Sequence, residues 1–258
     1  LAQDALEMRR DTQGRDHPGV GDGLALVAAL FFQPVRFDSS AAAAREAVLL
    51  YRALPEAYED DLSTAINNLA GASLALGNRD EAEALYRESI ERRIARLGQA
   101  DADVAINMSN LAALLSQRGR FGESDSLLRE SMAIRGRVFG ERSLEVATDL
   151  NNFGLSLSRR GDHDAAEPVL REALAIRRAA LGAEHPDVAL TIHNLATALQ
   201  RKGALADAEP LYREALAIRR RALGAEHPFV AITLNGLGSL LTAKGEHDEA
   251  EGALLEAL

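Results

Sequence analysis

One stretch of the chain occurs twice almost unchanged, and this repetition constrains the fold more than any other feature. Residues 171–190 read REALAIRRAALGAEHPDVAL, and residues 213–232, which begin 42 positions later, read REALAIRRRALGAEHPFVAI. Repetition at a fixed period of this size is typical of solenoids, in which each repeat buries its apolar face only against its neighbours. We therefore predict an array of similar structural units.

Two series of glycines follow the same period. They are Gly77, Gly119, Gly161, Gly203 and Gly245, and Gly98, Gly140, Gly182 and Gly224. A glycine just past a helical pattern accepts a left-handed backbone and ends the helix. Each repeat should therefore contain a first helix, a glycine turn, a longer second helix and another glycine turn. The period is looser in residues 19–61, where Val35 occupies the position of a turn glycine and Leu26 that of a recurrent asparagine.

The apolar residues support two helices in each repeat. The first helix carries apolar residues at i, i+3, i+4 and i+7, which form one face of an α-helix; an example is Ile192, Leu195, Ala196 and Leu199. The third residue of each set is small, as Ala196 is, and allows neighbouring helices to pack closely. The second helix is rich in glutamate and arginine, including Arg171, Arg177 and Arg178, and we expect these to form a solvated face with i, i+4 pairs.

Composition excludes several classes of function. The chain is 47% hydrophobic but only 4% aromatic, which favours packed helices over sheets. A net charge of −10 argues against nucleic acid or anionic membrane as a partner. The lack of cysteine excludes disulfides and thiolate metal sites. No apolar run approaches the roughly 18–20 residues that span a bilayer, so we expect no membrane contact and a cytoplasmic location. We interpret the chain as a segment of a longer protein.

The best-preserved repeat resembles a known family. Its residues NLA at 194–196, Gly203, AEPLYREAL at 208–216 and LGAEHP at 223–228 are similar to the tetratricopeptide repeat, in the 42-residue kinesin-light-chain form common in bacterial multidomain proteins. The resemblance implies an all-α fold, a right-handed superhelical α-solenoid of antiparallel helix pairs. It also implies that the first helices line a concave groove that holds protein segments.

The resemblance predicts a division of the chain into two parts. Residues 1–61 should form degenerate helical repeats. Residues 62–258 should form tandem repeats whose helix pairs start near residues 62, 104, 146, 188 and 230, the last pair being incomplete.

A polar stripe on the first helices gives the candidate binding residues. Asparagine recurs every 42 residues, with a second polar residue one position earlier, and a third polar position lies further along each helix. The candidate peptide-binding residues are Asn67, Asn68, Asn110, Asn151, Asn152, His193, Asn194, Asn235, Gln117, Arg159 and Arg201. An asparagine amide can pair with both the N–H and the C=O of an extended peptide, and the two arginines favour carboxylates.

The same recurrence also fits a structural alternative, in which the asparagines bridge neighbouring repeats; both roles can hold at once. Gly236 and Leu26 interrupt the series at its ends. If ligand contact dominates, replacing Asn110, Asn152 and Asn194 with alanine should weaken the binding of a partner and leave helicity and melting behaviour nearly intact. The resemblance favours peptides with an aromatic residue flanked by acidic residues.

No catalytic residues, cofactor or metal are expected. His185 and His227 each precede a proline at a helix start, where they fit capping positions, and no histidine pair has metal-binding spacing. We therefore expect a non-enzymatic scaffold that binds a peptide or partner protein in its groove. The alternative is a regulatory or sensor arm of a larger signalling protein, such as a bacterial Ser/Thr kinase or NTPase. We expect the C-terminal end to promote end-to-end self-association of the segment.

Overall fold

The computed structural model of the chain describes residues 2–31 and 36–258, and the regular elements within them are all helical. Val35 lies outside the described residues, so the expected turn there stays untested. A short 3-10 turn, Glu56–Tyr58, precedes the fourth α-helix. The α-helices are α1 Ala2–Gln13, α2 Pro18–Leu30, α3 Phe37–Arg52, α4 Glu59–Ala75, α5 Arg79–Leu97, α6 Ala102–Gln117, α7 Phe121–Phe139, α8 Leu144–Arg160, α9 His163–Leu181, α10 Pro186–Lys202, α11 Leu205–Leu223, α12 Pro228–Lys244 and α13 His247–Glu256.

The helices form two compact units, Leu1–Leu114 and Leu115–Leu258. Within each unit, helices pack mainly against their neighbours in sequence, and first helices alternate with second helices. The N-terminal unit has a core that includes Leu24 and Ile66, and the core of the C-terminal unit includes Ile192. The prediction of an all-α solenoid of paired helices is confirmed. The domain boundary at residue 62 stays a prediction.

Glycines end the helices as predicted, but in two different conformations. After the first helices, Gly161 has φ 90° and ψ 2°, the left-handed conformation that caps a helix. After the second helices, Gly182 has φ 82° and ψ 161°, a region essentially restricted to glycine. The other glycines of both series also have positive φ. The two turns therefore reverse the chain in different ways within one repeat.

The histidine–proline pairs begin first helices. His185 Nδ1 accepts a hydrogen bond from the Asp187 N–H at 3.1 Å, and Pro186 occupies the first turn, where no N–H is needed. His227 and His17 cap α12 and α2 in the same way. The capping role predicted for His185 and His227 is confirmed.

One expectation about the second helices is wrong. Arg177 is not on a solvated face: its side chain is buried, with 6% of the residue exposed. Its Nη1 donates to Thr191 Oγ1 at 2.8 Å and to the Asp187 carbonyl at 3.1 Å, so it ties α9 to the next first helix, α10. The equivalent arginines are also buried and are Arg93, Arg135 and Arg219. A buried guanidinium needs such partners, because desolvation without them is costly.

The partner of this buried arginine varies between repeats of the C-terminal unit. Arg135 donates to Asp149 Oδ1 at 2.7 Å and to the Glu145 carbonyl at 3.0 Å. Arg219 instead donates to Thr233 Oγ1 at 2.5 Å. Each link therefore joins a second helix to the first helix that follows it, once with a carboxylate and otherwise with a hydroxyl.

Small residues on the first helices allow the close packing that the sequence predicts. A Cβ atom at Gly154 would lie 2.5 Å from Cγ of Leu170 on α9. A Cβ atom at Gly238 would lie 2.7 Å from Cγ of Leu254 on α13. Contacts this short show that the paired helices leave no room for a larger residue without a shift of the leucine.

Candidate functional site

The N-terminal unit brings three of the candidate asparagines together. Asn67 and Asn68 lie on α4, and Asn110 lies on α6. Asn110 Nδ2 donates a hydrogen bond to Asn67 Oδ1 at 3.1 Å, so these two residues bridge consecutive first helices. Asn67 lies 43 positions before Asn110, and the residue 43 positions before Asn68 is Ala25, which has no polar side chain. No described residue hydrogen bonds to the Asn68 side chain. Asn68 therefore keeps its amide available.

A cavity of about 370 Å³ opens beside these asparagines. Its walls come from α2, α3, α4, α5 and the part of α6 that belongs to the N-terminal unit. The described lining residues are Ala28, Ala29, Ser40, Asn67, Asn68, Gly71, Tyr86 and Asn110. Five of the eight carry hydrogen-bonding side chains, and none of the eight is charged. Tyr86, on α5, is only 4% exposed, and burial raises its pKa to about 12. The asparagines were predicted from the sequence, whereas Tyr86 was not.

The C-terminal unit contains a second asparagine bridge, and this one is buried. Asn194 Nδ2, on α10, donates to Asn151 Oδ1, on α8, at 2.9 Å. Asn151 is 3% exposed and Asn194 is 7% exposed. The structural alternative considered above therefore accounts for this pair. We therefore expect that replacing Asn194 lowers stability, in contrast to the expectation from the sequence that alanine leaves melting nearly intact.

The next pair of equivalent positions contains a histidine and a glycine. The His193 ring packs edge-on against Tyr212, with centroids 5.4 Å apart. Burial and, second, the charge of Arg219 lower the pKa of His193 to about 4, so the ring is neutral at neutral pH. A Cβ atom at Gly236 would lie 2.7 Å from Cε1 of the Tyr212 ring. The Tyr212 ring thus occupies the space that a side chain at position 236 would need. Asn235, its neighbour, is exposed.

Three further candidates are exposed and equivalent to one another. They are Gln117 on α6, Arg159 on α8 and Arg201 on α10. Arg159 Nη1 lies 3.4 Å from Ser116 Oγ, and no described carboxylate forms an ion pair with Arg159 or Arg201. Desolvation and, second, the charge of Arg201 lower the pKa of Arg159. Two neighbouring first helices therefore present guanidinium groups that repel each other.

Several exposed arginines of the second helices form ion pairs with glutamates. Arg178 forms an ion pair with Glu214 at 2.6 Å, and Arg213 forms one with Glu249 at 2.7 Å, each across adjacent second helices. Arg52 and Glu88 make the equivalent contact in the N-terminal unit. These three arginines each have a glutamate partner, whereas Arg159 and Arg201 have no described carboxylate partner.

The described residues contain no cluster of three or more metal-ligating side chains. Among the helices that the structure describes, none has the length and the apolar character needed to cross a bilayer.

Asn152, the last of the candidates, is half-buried on α8.

Comparison with known proteins identifies the family. Models described as tetratricopeptide repeat match residues 62–103 and, in three overlapping segments, residues 103–179, 150–221 and 187–258. The chain belongs to the tetratricopeptide-repeat family. No curated protein matches it significantly.

Solved structures of the same fold include kinesin-light-chain-like repeat proteins. BtubC (BKLC) from P. vanneervenii is 26% identical with a TM-score of 0.69, over 86% of this chain and 89% of that one. A putative kinesin light chain of nearly identical TPR-like repeats from P. anserina is 20% identical with a TM-score of 0.62, over 80% and 98% of the two chains. The kinesin-light-chain resemblance predicted from the sequence is confirmed.

A Rap protein crystallised with competence and sporulation factor shares the fold alone. It is 14% identical with a TM-score of 0.71, over 84% of this tetratricopeptide-repeat chain. The matched part spans 58% of the Rap chain.

Proposed function

We propose that this tetratricopeptide-repeat protein binds an acidic segment of a partner protein on the face of its first helices. At the level of the family, it is a protein–protein interaction scaffold. The observation that carries the finer proposal is the pair Arg159 and Arg201, which have no carboxylate partner among the described residues.

The electrostatics favour a carboxylate ligand at these arginines. Each guanidinium can donate two parallel hydrogen bonds to a carboxylate. A bound anion also offsets the repulsion between the Arg159 and Arg201 guanidinium groups, which lowers the pKa of Arg159 after desolvation. The expectation that the ligand also contains an aromatic residue rests on the family resemblance alone.

The chain itself supplies the replacement for a test. Gln117 occupies the equivalent position on α6, so Arg159→Gln and Arg201→Gln introduce a residue that this position already accepts. The matched control is Arg178→Gln, which removes an exposed arginine of the second-helix face. The ligands are fluorescent peptides with one aromatic residue flanked by glutamate and aspartate, measured by anisotropy at two salt concentrations.

We expect the double variant to bind at least tenfold more weakly, which corresponds to about 1.4 kcal/mol, and to lose much of the salt dependence. The control should stay within twofold of the parent. Equal affinity of the double variant and the parent would refute the role of the arginines. Failure of every acidic peptide to bind the parent would refute the proposed ligand.

The Rap protein crystallised with competence and sporulation factor supports the proposal of a bound partner only because it shares this fold. The regulatory-arm alternative stays a prediction, which the full-length gene decides.

A further inference from the structure

Two tyrosines exactly three periods apart occupy equivalent positions but have different surroundings. The Tyr212 hydroxyl donates to Gln200 Oε1 at 2.8 Å and lies 3.0 Å from Thr197 Oγ1. Tyr86, on α5, is equally buried, at 4% exposure, yet no described residue hydrogen bonds to its hydroxyl. Tyr86 lines the cavity, so its hydroxyl is available to a group bound there.

The sequence explains this difference position by position. Gly71 stands where the other repeat has Thr197, and Leu74 stands where it has Gln200. Both hydrogen-bond partners of the hydroxyl are therefore absent in the Tyr86 repeat. The ring surroundings differ too, since Asn67 replaces His193, whose ring packs against Tyr212. The cavity lies beside Tyr86, in the repeat that lacks these partners.

We propose that this cavity binds the carboxamide side chain of a glutamine or asparagine in the bound segment, with the Tyr86 hydroxyl and the Asn68 amide as its principal partners. This inference rests on the proposed function, because the carboxamide belongs to a protein segment held on the first-helix face. It adds a side-chain preference in the N-terminal unit that the arginines of the C-terminal unit do not supply.

The chemistry of the lining selects an uncharged ligand group. None of the eight described lining residues is charged, so a carboxylate or an ammonium group would lose its hydration without gaining a counter-ion from them. A purely apolar side chain would leave the hydroxyl and the amide of Asn68 without partners. A carboxamide carries one acceptor oxygen and two donor hydrogens, which match a hydroxyl and an asparagine amide together.

The size and the neighbouring contacts are consistent with such a group. A volume of about 370 Å³ is at the lower end of the range for ligand pockets, roughly 300–1,000 Å³, and is ample for one side chain with ordered water. Ser40 Oγ already donates to the Ala28 carbonyl at 2.7 Å, and Asn110 donates to Asn67, so part of the wall is held in place. The unpartnered groups are therefore presented by a wall whose other polar residues are fixed.

The experiment is a selection from a random peptide library on the full chain and on three variants. Tyr86→Phe removes the hydroxyl alone. Gly71→Thr with Leu74→Gln transfers both partners of Tyr212 into the Tyr86 repeat and so occupies the cavity. Tyr212→Phe is the matched control outside the cavity. Thermal melting of each variant establishes that it is folded, and selected peptides are remeasured with glutamine changed to glutamate and to alanine.

We expect the parent to select peptides with one fixed glutamine or asparagine, and to bind them at least fivefold more tightly than their glutamate or alanine forms. Tyr86→Phe and the Gly71→Thr/Leu74→Gln variant should lose this preference but still bind peptides, whereas Tyr212→Phe should keep it. Selected peptides without a fixed carboxamide, or a preference that survives in the filled variant, would overturn the cavity proposal and leave the proposed function standing.

If no peptide binds the parent, the proposed function fails, and the cavity is tested separately with N-acetylglutamine amide. The readout is the NMR shift of the Asn67, Asn68 and Asn110 side-chain amides, with N-acetylglutamate amide as the charged control. Shifts with the glutamine compound that disappear in the filled variant support a carboxamide site. Absence of shifts at millimolar concentration overturns it.

Discussion

The asparagines of the first helices have two kinds of surroundings, and replacing one of each kind separates them. Asn194 is 7% exposed and donates to Asn151 Oδ1 at 2.9 Å. Asn194→Ala removes this donor and leaves a buried acceptor without it, which costs about 1–3 kcal/mol. Asn68 is half-buried and has no hydrogen-bond partner among the described residues, so Asn68→Ala should change stability by no more than about 0.5 kcal/mol.

The measurement is urea unfolding followed by far-UV circular dichroism, with amide exchange of α8 and α10 as a local readout. Exchange is needed because a repeat array can unfold in parts, and one transition then underestimates a local loss. A double-mutant cycle with Asn151→Ala should give a coupling energy of about 1 kcal/mol, since the two side chains contact each other directly.

Either of two results would refute this reasoning. Equal stability of the Asn68→Ala and Asn194→Ala proteins would show that the hydrogen bond between Asn151 and Asn194 contributes nothing measurable. Additive effects of Asn151→Ala and Asn194→Ala would show that the two residues act independently. In binding studies, Asn68→Ala is accordingly the variant that reports on ligand contact without a loss of stability.

Three further predictions concern other parts of the chain. Asp149→Ala leaves the buried Arg135 guanidinium without its carboxylate and should lower the free energy of unfolding in urea by about 3–5 kcal/mol. Thr233→Val, which replaces only the hydroxyl by a methyl group, should lower it by about 0.5–1.5 kcal/mol. Equal losses would contradict the role of the carboxylate. His193 has a pKa of about 4 in the folded chain and an ordinary value of 6.5, so on acidification the unfolded chain takes up the proton first. Stability should therefore be full above about pH 6.5 and fall toward pH 4. His193→Asn should flatten that part of the pH profile, and an unchanged profile would count against a buried neutral ring. Self-association of the segment should be reduced by Leu255→Glu, since Leu255 is 62% exposed; a sedimentation profile of a monomer at high concentration for the parent would contradict it.

The sequence predicted those features that depend on backbone conformation and on periodicity. The glycine turns and the His185 cap follow from local chemistry, and the structure confirms them. Arg177 could not be placed correctly, because a buried arginine and an exposed one occur in the same Glu/Arg-rich pattern, and only the packing of α9 against α10 distinguishes them.

The candidate site was predicted in part. The recurrence of asparagine located the polar face, but periodicity cannot show that Asn194 is bonded to Asn151 while Asn68 has no such partner. Tyr86 was missed, although the sequence contained a signal. Comparing it with Tyr212 three periods later shows that Thr197 and Gln200 have no counterparts around it.

The buried arginines also limit how such an array can change its length during evolution. Arg177 reaches from one repeat to Thr191 and to a main-chain carbonyl of the next. A deletion of part of a repeat would leave a guanidinium in the core without these partners, whereas loss or gain of a whole repeat restores the same junction. The near-identity of residues 171–190 and 213–232 is what a recent duplication of one complete repeat produces. Insertions and deletions of 42 residues, or multiples of 42, are therefore the changes that this architecture accommodates.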